Sequence, residues 1–173
     1  GKKISTGAGQ WLFEGAVARA YSIDNDKDTH DDGEDAGVPD LQALVGWTFP
    51  GLAGRPTTIG LGGHWGQREL DDGAGEEDFD SWSLALDMKV PLHETLTLEG
   101  ELWTGQFLEG YQGGILQGFN FTEGDEVQSR GGFAQLQFIP NPDWKFFGGF
   151  GIDDPRDDTG LKRERNLTYF FNA

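Results

Sequence analysis

The chain contains no cysteine, so neither disulfides nor thiolate metal centres can hold it together. Basic residues are scarce: thirteen Lys and Arg stand against thirty Asp and Glu, and the formal charge of −17 argues against a polyanionic partner such as nucleic acid. No run approaches the ~20 consecutive apolar residues of a membrane helix, so hydropathy alone describes a water-soluble protein. Histidine is rare too. His30, His64 and His93 share no spacing that suggests a metal centre or a nucleophile–base pair, and no catalytic role is expected. Helical periodicity is missing throughout. The first residues, Gly-Lys-Lys-Ile, carry no apolar signal-peptide core, so an exported protein is expected to have lost its leader or to carry it outside this sequence.

In place of these features there are 28 glycines and 13 phenylalanines among 173 residues, a mixture that suits sheets and tight turns. Period-two alternation recurs along the whole chain and predicts one all-β domain of about eight antiparallel strands, over residues 10–23, 41–49, 57–67, 81–91, 96–104, 130–139, 144–153 and 166–173. In the second strand Leu41, Ala43, Val45, Trp47 and Phe49 alternate with Gln42, Gly46 and Thr48. The fourth and fifth place Leu84, Leu86, Met88, Val90, Leu98 and Leu102 on one face and Asp87, Lys89, Glu99 and Glu101 on the other. If Leu92 pairs with Leu96 across the turn, Lys89 lies opposite Glu99 and Asp87 opposite Glu101. In the first strand Arg19 breaks the pattern of Trp11, Phe13, Val17, Tyr21 and Ile23, and would join the polar face only through a bulge.

Connections alternate in length and charge. Short turns at 50–56, 92–95 and 140–143 alternate with long loops at 24–40, 67–80, 105–128 and 153–165 that hold 24 of the 30 acidic residues. An up-and-down meander collects those long loops at one end, which makes one rim strongly acidic.

Such a meander can turn its apolar face inward, as a soluble barrel or sandwich, or outward into lipid, as a membrane barrel. The opposite face decides the expectation. It is rich in Gly, Ala, Ser and Thr with isolated charges, where a soluble protein would carry a dense polar coat. Strands of about 9–11 residues with short turns at one end and long loops at the other are the outer-membrane pattern. Aromatics fall in two groups, Trp11, Trp47, Phe49 and Trp144 near the short turns and Tyr21, Trp65 and Trp82 near the long loops, as two interfacial girdles would. The expected architecture is therefore all or part of a transmembrane β-barrel, with Asp87, Lys89, Glu99, Glu101, Gln135, Gln137, Lys145 and His64 lining a wet lumen.

Four stretches add a resemblance: GQFLEGYQGGILQG at 105–118, RGGFAQL at 130–136, GFGIDDP at 149–155, and the pair Arg165 and Asn166 opening the last strand. Their order and character resemble porin-like outer-membrane barrel proteins of Gram-negative bacteria, over roughly the second half of the chain. The resemblance implies an outer-membrane location, passage of small hydrophilic solutes and more than eight strands. Ala173 departs from the terminal aromatic residue of such barrels, so this sequence is expected to be a portion of a longer chain.

The loop 105–128 differs from the other three in its uncharged, aromatic centre. Folded into the lumen it would narrow it, with Tyr111, Gln112, Gln117 and Asn120 offering hydrogen bonds and stacking to a sugar-like solute. Packing against a neighbouring protomer is the equal alternative. No cofactor is expected. Asp24, Asp26 and Asp28 alternate like the start of a calcium loop, but Thr29 and Asp35 stand where an EF-hand needs Gly and Glu, which leaves loose Ca²⁺ or Mg²⁺ attraction or plain solvation. Expected partners are outer-membrane lipid, lipopolysaccharide, small hydrophilic solutes, and a homo-oligomer or larger membrane complex. The functional expectation is passive diffusion with preference for cations or neutral solutes. A soluble all-β ligand- or carbohydrate-binding protein and a non-conducting structural barrel are the alternatives.

Overall fold

The computed structural model describes residues 1–20, 22, 33, 36–71, 75–111, 113–156, 161 and 163–173. Among them the fold is all-β. The strands are β1 (Lys2–Thr6), β2 (Gly9–Ala18), β3 (Asp40–Pro50), β4 (Pro56–Asp71), β5 (Glu76–His93), β6 (Leu96–Gln106), β7 (Phe119–Asn120), β8 (Asp125–Glu126), β9 (Gln128–Asn141), β10 (Trp144–Pro155) and β11 (Asn166–Asn172), with single 3₁₀ turns at Leu52–Gly54 and Glu109–Tyr111. Nine strands form one antiparallel up-and-down sheet in the order β1-β2-β3-β4-β5-β6-β9-β10-β11, and β7 and β8 make a separate small hairpin. The sheet is open: its first and last strands do not pair with each other.

Alternation explains the ladder. On the apolar face most pairings place apolar residues opposite apolar residues, so that one row runs Phe13, Val45, Leu61, Leu86, Leu102, Gly132, Ile152 and Leu167 across eight strands. A second runs Ile4, Trp11, Trp47, Ile59, Met88, Gly100, Ala134, Phe150 and Tyr169 across all nine. A slip of one residue would turn the whole set over, so the pattern fixes the register strongly. Trp11 stacks on Trp47 and Trp47 on Phe49, while Phe146 stacks on Phe138 and Trp144, near the short turns.

Three elements differ from the sequence expectation. Lys2–Thr6 forms a ninth strand: KKIST has one apolar residue, Ile4, and so gives no alternation to detect, yet it pairs as a hairpin with β2. β2 ends at Ala18, so Arg19 lies beyond the strand and no bulge is needed to place it; Tyr21 lies outside the described residues, as does Ile23. The expected long loop 67–80 is mostly ladder, because β4 and β5 stay paired through Gln67 with Asp80, Glu69 with Asp78, and Asp71 with Glu76. Beyond the Trp65–Trp82 pair the alternation persists, but the face that carried hydrocarbon now carries carboxylates.

That overhang organises the buried core. Arg68, Leu70 and Phe79 share the polar face of the sheet, and Leu70, Phe79, Phe107 and Phe119 form a buried cluster there beneath the segment 107–127. Among the described residues nothing covers the apolar face: Leu84 is 50%, Phe150 49% and Leu102 63% exposed.

Candidate functional site

The polar face gathers the chemistry. On the middle strands Lys89 of β5 faces Glu99 of β6 as the sequence predicts, with Nζ 2.5 Å from Oε1, and Gln135 of β9 donates to the other carboxylate oxygen at 2.7 Å. Asp87 lies opposite Glu101, so the register keeps the two like charges together. The turn behind them differs in detail. His93, not Leu92, pairs with Leu96, because the ladder shifts by one residue after Pro91, which has no N–H to donate. Asp87 has space because its carboxylate lies over Gly60 of β4, where any Cβ would collide with it.

His64 of β4 sits one strand over. Its Nδ1 is 2.6 Å from Ser83 Oγ and its Nε2 3.0 Å from Ser81 Oγ. Ser81 donates its proton to the Phe107 carbonyl at 2.9 Å, so Ser81 Oγ accepts from His64 Nε2–H and Nδ1 accepts from Ser83. The histidine is thereby held as one neutral tautomer.

The segment 107–127 crosses this face as a strap. It leaves β6 near the middle of the sheet and reaches strands on both sides. Toward β3, the Tyr111 ring stacks on His64 with centroids 3.9 Å apart, its hydroxyl donates to Asp40 Oδ2 at 2.9 Å, and Gln42 Nε2 donates to that hydroxyl at 3.0 Å. Toward β10, the Ile115 amide donates to Asp153 at 2.8 Å. Ser22 donates to Glu109 at 2.5 Å in a buried contact. Asp40 is itself gripped by Arg68 through both carboxylate oxygens, at 3.0 and 3.1 Å, with the guanidinium 1% exposed. Burial and the hydrogen bond to Asp40 push the Tyr111 phenol up to about 12, so it remains a donor at every physiological pH. Phe107, Ile115 and Leu116 adopt positive φ, a conformation non-glycine residues rarely hold unless the surroundings impose it.

Between strap and sheet lies a cleft of ≈ 510 Å³ whose lining includes Glu14, Gln42, His64, Asp87, Glu101 and Tyr111. Among the described residues its lining side chains include three carboxylates and no Lys or Arg, and Gly1 borders it beside Glu14. An adjoining recess of ≈ 260 Å³ adds Trp103 and Leu108. The Trp103 ring lies against Gly131 of β9, where any Cβ would collide with it.

The expected lining residues thus fall in three places. Asp87, Lys89, Glu99, Glu101 and Gln135 form a mid-sheet ionic band, His64 stands under the strap, and Gln137 and Lys145 lie on the same face toward the short turns. Of the strap residues, Tyr111 faces the cleft. Gln117 instead stitches the strap, donating to the carbonyls of Gly114 and Arg163, and Asn120 is buried with Oδ1 accepting from the Thr122 amide in the β7–β8 turn. Gln112 lies outside the described residues, as do Asp24, Asp26 and Asp28. Among the described residues no group of three or more His, Asp or Glu could hold a metal ion. Trp103 was legible as a polar-face residue from its parity with Glu99 and Glu101. The Asp40–Arg68 pair, 28 residues apart, carries no local signal.

No family model, curated protein or solved structure matches the chain.

Proposed function

We propose that the chain forms wall strands of a porin-like channel of the bacterial outer membrane, passing small hydrophilic cations and neutral solutes by diffusion. The observation that carries this reading is the division of the sheet: in its middle one face is exposed hydrocarbon from β2 to β11, and the other bears the mid-sheet charges, the strap and the acidic cleft. A soluble sandwich would need a second layer over Leu84, Leu86, Leu136 and Phe150, and among the described residues none covers them. In lipid those residues need no cover.

Dimensions support the same reading. On β5 the outward hydrocarbon runs from Trp82 to Val90. At ~3.4 Å per residue and a tilt of ~40° this spans ~21 Å of membrane normal, close to the ~25 Å apolar band of such barrels. At one end it gives way to the acidic overhang of β4 and β5 beyond Trp65 and Trp82, an arrangement suited to water or a headgroup layer. A closed lumen then requires strands beyond β1 and β11, in keeping with a barrel wider than eight strands. The strap supports a lumen on the polar side, because a segment leaving β6 contacts both β3 and β10 there.

The charge of the cleft sets the selectivity. A carboxylate ~10 Å from an ion's path through water changes its energy by ~0.4 kcal/mol, about a two-fold effect on occupancy. Planar-bilayer recordings of the detergent-purified protein in a KCl gradient are expected to give a cation-selective reversal potential. Asp87→Asn with Glu101→Gln is expected to lower the potassium-to-chloride permeability ratio several-fold with little change in conductance. Chloride preference in the unsubstituted protein would overturn the selectivity, and absence of any conductance would leave a structural barrel in its place.

A further inference from the structure

Four of the seven arginines of this acidic chain lie within one short region of the fold, at residues 130, 156, 163 and 165. Three of them, Arg130, Arg156 and Arg165, line a recess of ≈ 550 Å³ together with Asp154, Pro155 and Glu164. Asp154 is the pivot: its Oδ1 accepts from Arg165 Nε at 2.8 Å, and its Oδ2 from Arg130 at 3.2 Å. Arg156 donates to Thr104 at 3.1 Å. The side chains of Arg130 and Arg165 are 62% and 63% exposed. Asp157, Asp158 and Lys162 lie outside the described residues.

Position gives this cluster its meaning. Register puts Arg130 and Asp154 in one row with Thr104 and Leu84, on the hydrocarbon face and away from the cleft. In β10 the outward residues Phe146, Phe150 and Ile152 are followed directly by Asp154. The arginines therefore stand where the hydrocarbon face ends, at the long-loop end of the strands. Three guanidiniums share a recess with two carboxylates, in contrast to the same face of the β4–β5 overhang, where Gln67 is joined by five carboxylates.

We propose that this recess is an outward-facing site for the phosphate groups of a lipid headgroup in the outer leaflet; the proposal rests on the membrane reading above. Guanidinium matches phosphate with paired, charge-assisted hydrogen bonds, and apolar side chains directly below would meet the acyl chains of the same lipid. An acidic peptide would satisfy the charge but not the hydrocarbon neighbouring it. A lipid carrying phosphate satisfies both.

The test is native mass spectrometry of the detergent-solubilised full chain titrated with diphosphoryl lipid A, with a phosphate-free glycolipid of equal acyl content, and with inorganic phosphate as competitor. At least ten-fold preference for the diphosphoryl lipid is expected, reduced about ten-fold or more in R130Q/R165Q and unchanged in K89Q on the opposite face. Because removing both partners of Asp154 can disturb the fold, R130K/R165K provides a second arm: it keeps the charge, loses the planar fork, and is expected to bind with intermediate affinity. Equal binding of the two lipids by a detergent-requiring protein would overturn the proposal and leave the membrane reading standing. Displacement of lipid by millimolar phosphate would make this a free-anion site and also overturn it. A chain monodisperse without detergent would remove the membrane reading itself.

Discussion

Replacing Arg68 with methionine is expected to destabilise the fold by about 3–5 kcal/mol, the cost of leaving a buried carboxylate without its partner. Arg68 and Asp40 are both almost fully buried, their contact is bidentate, and Asp40 also receives the Tyr111 hydroxyl. The damage should therefore reach the strap. In Arg68→Met the Asp40 carboxylate retains only Tyr111 among these donors, so it will draw in water, which loosens the contact that seats Tyr111 over His64. Asp40→Leu combined with Arg68→Met is expected to recover most of the loss, because removing both partners leaves no buried charge unpaired, although the Tyr111 hydroxyl loses its acceptor. Urea unfolding in detergent micelles or liposomes measures both. A loss below about 1 kcal/mol for the single substitution would mean that water reaches the pair.

Leu86→Arg and Leu136→Arg are each expected to destabilise membrane-inserted protein by about 2–4 kcal/mol, the cost of a cation on the lipid face near mid-depth. Their neighbours provide the control. Ala85 and Gln135 lie one residue away on the opposite face, and arginine there is expected to be tolerated, with its main effect on ion selectivity. A soluble protein with an open sheet predicts no such contrast, since Leu86 and Leu136 are already about half exposed and a charge there would meet water. The face dependence, more than the size of either effect, carries the information.

How much of this was legible in the sequence follows from what alternation can encode. A period of two specifies strand, face and register together, so eight strands, the Lys89–Glu99 pair and the Asp87–Glu101 juxtaposition could all be read from spacing. It fails where one face loses its contrast. KKIST has too few apolar residues to alternate, and in 67–80 the apolar face turns from hydrocarbon to carboxylate while the opposite face keeps Leu70 and Phe79. A rule that treats acidic density as loop therefore ends one strand at Gln67 and starts the next at Ser81, whereas the ladder runs on to Asp71 and Glu76. The strap was only half legible. Its aromatic, uncharged centre marked it as unlike the other loops, but its seat over β3 and β10 depends on Asp40, Ser22 and Asp153, which lie far away in sequence and carry no pattern. Gln117 and Asn120 hold the strap together because each amide finds a nearer backbone partner than any solute would offer.

A membrane-barrel wall requires hydrocarbon outside and water within, and spin-label accessibility in liposomes tests this most directly. Nitroxides placed singly at positions 84, 86, 87, 135 and 136 are expected to split by parity: 84, 86 and 136 collide with dissolved oxygen in the bilayer, while 87 and 135 collide with a water-soluble nickel chelate. Labels at 84, 86 and 136 that are immobile and shielded from both reagents, in protein that stays monodisperse without detergent, would contradict it.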